Sequence, residues 1–96
     1  MQIEEFQKLI EQIYFEKDSR RGKEATFRWF VEEVGELARA ARRGHQAQLE
    51  EEFADVLAWL STLASLHGID LGAAAKRRYG SGCPKCGKAP CACEES

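Results

Sequence analysis

Between Phe53 and Leu66 the chain is apolar at nearly every position: Phe53, Ala54, Val56, Leu57, Ala58, Trp59, Leu60, Leu63, Ala64 and Leu66. A helix that is hydrophobic all round has to be covered all round. A chain of 96 residues makes one domain with a real but modest core, and it has too little length to wrap such a helix by itself. The expectation is an all-α fold completed by association with further copies, as a homodimer or a homotetramer. One acid, Asp55, interrupts the run. Burying an ionised carboxylate without a partner is costly, so Asp55 must be protonated, paired or on a metal. No Lys or Arg lies within a turn of it, which leaves a metal or a partner from another subunit.

The rest of the chain reads as helices around that run. The only two prolines lie within the last fifteen residues, which fits a helical body and a distinct tail. Ile3, Phe6, Leu9, Ile10, Ile13 and Tyr14 recur at helical spacing and predict an amphipathic first helix to about Lys17. Asp18 to Lys23, with Gly22, reads as a polar, solvated linker. A second helix is expected from about Glu24 to just before Gly44, which follows Arg42 and Arg43 as a helix stop should. Its apolar stripe is Phe27, Phe30, Val31, Val34, Leu37, Ala38 and Ala41. At 100° per residue, Glu32 and Glu36 fall almost opposite that stripe and Glu33 on its flank. Trp29 falls on the acidic side, where a second subunit or a ligand has to cover it. Gly44 to Gln48 is a short connection, so the third helix returns antiparallel beside the second. Asp70 is placed to cap a short fourth helix, Leu71 to about Tyr79. The fold class expected is thus an antiparallel helical hairpin or bundle of about four helices, with a short Cys-rich tail.

Two acidic sets stand on the paired helices. Glu33 and Glu36 are three residues apart, as are Glu52 and Asp55, and that spacing puts each pair on one helix face. Antiparallel packing turns the pairs towards each other, and like charges so placed call for a cation between them. Glu32, Glu33, Glu51 and Glu52 have no cationic partner at i+4, and Glu50 and Glu51 belong to the solvated side. Oxygen-only clusters select hard cations such as Mg2+ or Mn2+, with phosphate oxygens completing the shell. A di-iron carboxylate bundle would need a Glu-x-x-His pair. Here position 36 is Glu and position 55 is Asp, so that alternative drops out and His45 and His67 are ordinary polar residues.

The formal net charge of -2 hides a layout. Acids gather between Glu32 and Asp55, with Lys17, Arg20, Arg21, Lys23 and Arg28 before them and Lys76, Arg77 and Arg78 after. An acidic centre with basic flanks suits a metal-bound anion, whereas binding nucleic acid needs a basic footprint. No apolar run is long enough to span a membrane, and the N-terminus lacks the basic start and apolar core of a signal peptide. A cytoplasmic location, with no membrane or nucleic-acid partner, is the expectation.

Together, Glu32-Glu33-x-x-Glu36 and Glu52-x-x-Asp55 resemble the paired motif of MazG-like nucleoside triphosphate pyrophosphohydrolases, within the all-α NTP pyrophosphatase superfamily. The resemblance runs through Trp29 to Ala38, Glu52 to Leu60 and Gly68-Ile69-Asp70-Leu71, and covers roughly residues 1–80. It implies that Glu33, Glu36, Glu52 and Asp55 ligate Mg2+, and that Glu32 contacts a second metal or orients the attacking water. It implies hydrolysis of a nucleoside triphosphate between the α- and β-phosphates, for housecleaning or control of nucleotide pools. Metal-assisted hydrolysis needs no protein nucleophile, and none is evident. In the family a basic residue and an amide or acid late in the fourth helix bind substrate. Lys76 and Arg78 are the candidates here, equally suited to complementing the helix dipole, while Gly80 stands where the amide or acid would. Trp29 and Trp59 are candidates for stacking on the base.

The tail, residues 81–96, carries Cys83, Cys86, Cys91 and Cys93 as C-x-x-C, four residues, then C-x-C. Such spacing in a reducing compartment reads as a four-cysteine zinc site rather than disulfides or a redox pair, with Pro84, Gly87 and Pro90 supplying the turns. Two other functions fit the residues less well. One is a non-enzymatic helical oligomer whose zinc tail binds a protein or nucleic acid; the other is an enzyme of this fold acting on a different phosphorylated compound.

Overall fold

The break expected between the first two helices is present, and it narrows to one residue. In the computed structural model, which describes residues 1–94, helix α1 runs Ile3–Arg43 and is interrupted only at Gly22, where φ is 83° and ψ is 172°. That backbone conformation is open to glycine and little else. Helix α2 spans Gln46–Leu66 and α3 Leu71–Tyr79, and among the described residues there is no strand. The chain is therefore all-helical, with the first two expected helices joined into one broken element. Gly44, in the left-handed region at φ 76°, closes α1 by donating its N–H to Ala40 O at 3.0 Å. Asp70 Oδ1 accepts from Ala73 N at 3.0 Å and caps α3 as expected.

α1 and α2 form the antiparallel hairpin, and α3 turns 96° away from α2 to rest on the start of α1. Gln7 holds that corner. Its buried amide donates to Ser65 Oγ (3.0 Å) and Ile69 O (2.8 Å) and accepts from Leu71 N (2.8 Å), so one side chain from α1 satisfies groups of both later helices.

Two readings need correction. Asp18 is not solvated linker: it is buried, 6% exposed, and its carboxylate accepts from Arg21 and from Thr62 on α2. The rotation of α1 also differs. The seam against α2 is Thr26, Phe30, Glu33, Leu37 and Ala40, while Phe27, Val31 and Val34 of the expected core stripe are exposed. The opposite side of the seam is Leu49, Glu52, Val56, Trp59 and Leu63, leaving Phe53, Leu57 and Leu60 exposed. Both stripes lie about a quarter-turn or more from the seam, on the side away from Asp55. The physical reason is that each helix carries apolar residues on two faces, so periodicity alone does not say which of them meets its own chain. No single described helix is long and apolar enough to cross a membrane.

Candidate functional site

Carboxylate oxygens of Glu33, Glu52 and Asp55 lie within 4.8 Å of one another, between α1 and α2. Glu33 and Glu52 occupy seam positions that a hairpin would ordinarily give to apolar residues, and Asp55 sits at the seam's exposed edge. Burial lifts the Glu33 carboxyl above its ordinary value, and the negative charges of Glu52, Asp55 and Glu36 lift it further. Glu52 Oε2 is buried with no hydrogen-bond partner. An acceptor-only group with no donor beside two other acids suits a cation. The donor set is all oxygen, which fits a hard divalent ion.

Glu36, expected in the same set, turns to Arg39 three residues on and forms an exposed ion pair with it. Glu32 is exposed on the acidic side of α1. Trp29 and Trp59 do come together: their rings lie 6.2 Å apart between centroids and 16° from parallel. The Arg21 guanidinium stands 4.8 Å from the Trp59 ring centroid, within cation–π distance. Lys76 and Arg78 are exposed in the last turn of α3 and make no ion pair among the described residues.

Asp18, Arg21, Thr26 and Thr62 form a polar network that the linear sequence did not disclose. Arg21 Nη1 donates to Asp18 Oδ1 (3.0 Å) and Thr26 Oγ1 (3.2 Å), and Thr62 Oγ1 donates to Asp18 Oδ2 (3.0 Å). A signal for it existed: Ile10, Tyr14, Asp18 and Arg21 stand at i, i+4, i+8 and i+11, one face of an uninterrupted helix.

In the tail the four Sγ atoms also lie within 4.8 Å of one another, with Cys83 to Cys93 at 3.8 Å and Cys86 to Cys91 at 4.0 Å. All four are free thiols. Four sulfurs about 2.3 Å from a tetrahedral metal stand roughly 3.8 Å apart, whereas a disulfide closes to about 2.05 Å. Backbone N–H groups of Ala92 and Lys88 bring the Cys86 thiol down to about 6, and those of Cys86 and Lys85 lower Cys83. Cys93, surrounded by the other three thiols, is pushed up to about 11. The cluster could hold a soft or borderline metal ion.

The family described as MazG nucleotide pyrophosphohydrolase domain matches residues 21–80, more than half of the chain. The matched span contains all five acids, both tryptophans, Lys76 and Arg78; it excludes Ile10, Tyr14, Asp18 and the four cysteines. No curated protein matches the chain.

Proposed function

Because the chain belongs to the MazG nucleotide pyrophosphohydrolase domain family, we propose that it hydrolyses nucleoside triphosphates to the monophosphate and pyrophosphate in a Mg2+-dependent reaction. The observation that carries the reading is Glu52 Oε2, buried and unpartnered against Glu33 and Asp55. A purely structural hairpin would gain nothing from that arrangement, which costs stability unless a cation is bound.

Glu33, Glu52 and Asp55 are the Mg2+ ligands, with Mn2+ the nearest substitute. Glu36 is the fourth; its exposed pair with Arg39 is worth about 1 kcal/mol or less and does not hold it away. Bound there, the ion neutralises charge on phosphoryl oxygens and lowers the pKa of water. Glu32 orients the attacking water or helps hold a second ion. Trp29 and Trp59 give the base a flat aromatic surface, and Lys76 and Arg78 supply positive charge to the phosphates. Residues 1–80 make the catalytic domain, which works as a homodimer or homotetramer on cytoplasmic nucleotide pools or damaged nucleotides.

Pyrophosphate release from a panel of NTPs and dNTPs tests the reaction. Release that needs Mg2+ or Mn2+ supports it; a folded protein that releases none from any of them sinks it.

For the tail, residues 81–96, we propose structural Zn2+ held by Cys83, Cys86, Cys91 and Cys93. It has too few apolar residues for a core of its own, so the metal folds it. Purified protein should carry about one zinc per chain, and affinity should fall as pH is lowered, more steeply below about 6, where Cys86 also takes up a proton. Metal analysis finding less than about a third of an equivalent overturns the assignment.

A further inference from the structure

From residue 71 to residue 93 the chain holds five Lys or Arg and no Asp or Glu, although the whole chain carries a net charge of -2. The five are Lys76, Arg77 and Arg78 in the last turn of α3, and Lys85 and Lys88 in the tail. All are exposed, and none is in an ion pair among the described residues. Tyr79 stands among them, 65% exposed. The tail does not trail away from the helix. Gly82 N donates to Tyr79 O at 3.0 Å, Cys83 N donates to Lys88 O at 3.0 Å, and Gly87 N donates to Cys83 O at 2.7 Å. Gly82, at φ 106°, lies so close to the next turn that a Cβ there would meet the Lys88 carbonyl carbon at 3.0 Å. The turn that carries Lys85 and Lys88 is thus folded back on the end of α3, and both sets of cations share that end of the molecule with Tyr79.

We infer that this end of the chain binds single-stranded nucleic acid, with phosphates on the cations and an unpaired base on Tyr79. The inference goes beyond the proposed reaction and does not depend on it, since Arg77, Tyr79, Lys85 and Lys88 have no part in that chemistry. Nucleic acid needs a basic footprint. The expectation of no nucleic-acid partner rests on the acids of the hairpin, and the C-terminal end is opposite in charge. A zinc ion held by four thiolates is a negative centre, but by less than the five positive charges around it.

An acidic protein would meet the same charges, but this surface lacks what a protein contact is built on. Stable protein interfaces have an apolar, well-packed centre. Over residues 76–94 the apolar side chains besides Tyr79 and the cysteines are Pro84, Ala89, Pro90 and Ala92. Cations around one exposed ring are instead the means by which single strands are held: the charges follow the backbone, and the ring stacks on a base of any kind. Zinc knuckles are among the modules that take unpaired bases in this way. A duplex keeps the faces of its bases stacked on one another, so Tyr79 would have nothing to pack against there.

Fluorescence anisotropy tests this, with short labelled oligo(U) and oligo(dT) titrated against the intact, zinc-loaded protein over a range of salt and without NTP. At least one oligomer should bind, and the logarithm of its association constant should fall against the logarithm of salt with a slope of about -2 to -3.5, as about three to five phosphate contacts require. Tyr79→Ala should weaken binding about tenfold at unchanged slope, and Tyr79→Phe, which keeps the ring, should restore it. Arg77→Gln combined with Lys85→Gln and Lys88→Gln should make the slope shallower by about 2. Wild type alone keeps the test decisive if a variant loses its zinc: the oligomer paired with its complement should bind several-fold more weakly than the free strand. No binding at low salt, a duplex held as tightly as a single strand, or a folded Tyr79→Ala that binds like wild type overturns the inference. So does polyglutamate displacing the oligomer at equal charge, which would make this a surface for acidic chains of any kind.

Discussion

Glu52→Gln should lower pyrophosphate release by about 10²- to 10³-fold, the cost of losing one preorganised group from a charge-stabilising site, and should make the metal-free protein more stable. The second half sets the prediction apart. In the folded chain Glu52 Oε2 is buried without a partner beside Glu33 and Asp55, so without metal the wild-type site repels itself. Glutamine keeps the volume, removes a charge, and brings an N–H2 that can donate to Glu33. A relief of about 1 kcal/mol would raise the melting temperature by about 4–8 °C in a domain of this size.

The dependence on pH has a definite sign. Glu33 titrates above its ordinary value because burial, and then Glu52, oppose its charge. Between the ordinary and the raised value, the folded metal-free protein holds a proton that the unfolded chain has lost. Its stability therefore falls as pH rises through that window and levels off above it. Mg2+ has to displace the same proton, so the gain in melting temperature on adding Mg2+ should grow across the window. In Glu52→Gln the slope should flatten. Calorimetric scans with and without Mg2+ check both, and a metal-free variant melting below wild type would contradict the account.

The other large effect concerns association. Wild type is expected to associate, and Val31→Glu combined with Leu57→Glu should leave it monomeric, with loss of most thermal stability. Phe53 is 59% exposed and Val31 55%, and with Phe27, Val34, Leu57 and Leu60 they cover one side of the hairpin with apolar surface. A patch of that extent is rarely left to water, and self-association about a twofold axis would match each stripe to its own copy. Two charges at its centre would each have to be desolvated in the contact. Sedimentation of wild type and variant at equal concentration decides: wild type running as a stable monomer at tens of micromolar would show that the stripes serve something else.

Much of this was legible in the chain. The hairpin followed from Gly44 and a short connection, the α3 cap from Asp70, and the convergence of Glu33, Glu52 and Asp55 from spacing on antiparallel helices. The rotation of α1 was not. A helix with apolar residues on two faces satisfies the same periodicity whichever face meets its own chain, and only packing distinguishes Thr26–Ala40 from Phe27–Val34. Glu36 was placed by spacing alone, and spacing says nothing about Arg39 competing for it. Asp18 escaped because it stands among Lys17, Ser19, Arg20 and Arg21, where polarity reads as exposure, and because Gly22 suggested a helix already ended.

That glycine has one more consequence. By breaking α1 at a single residue, it divides the helix into a length bearing Ile10, Tyr14, Asp18 and Arg21 and a length bearing Glu33. Mutations in the first length need not shift the register of the second. Gln7 and Asp18 fasten the first length to Ser65 and Thr62 of α2, so the angle at Gly22 is set by side chains and not by the helix itself.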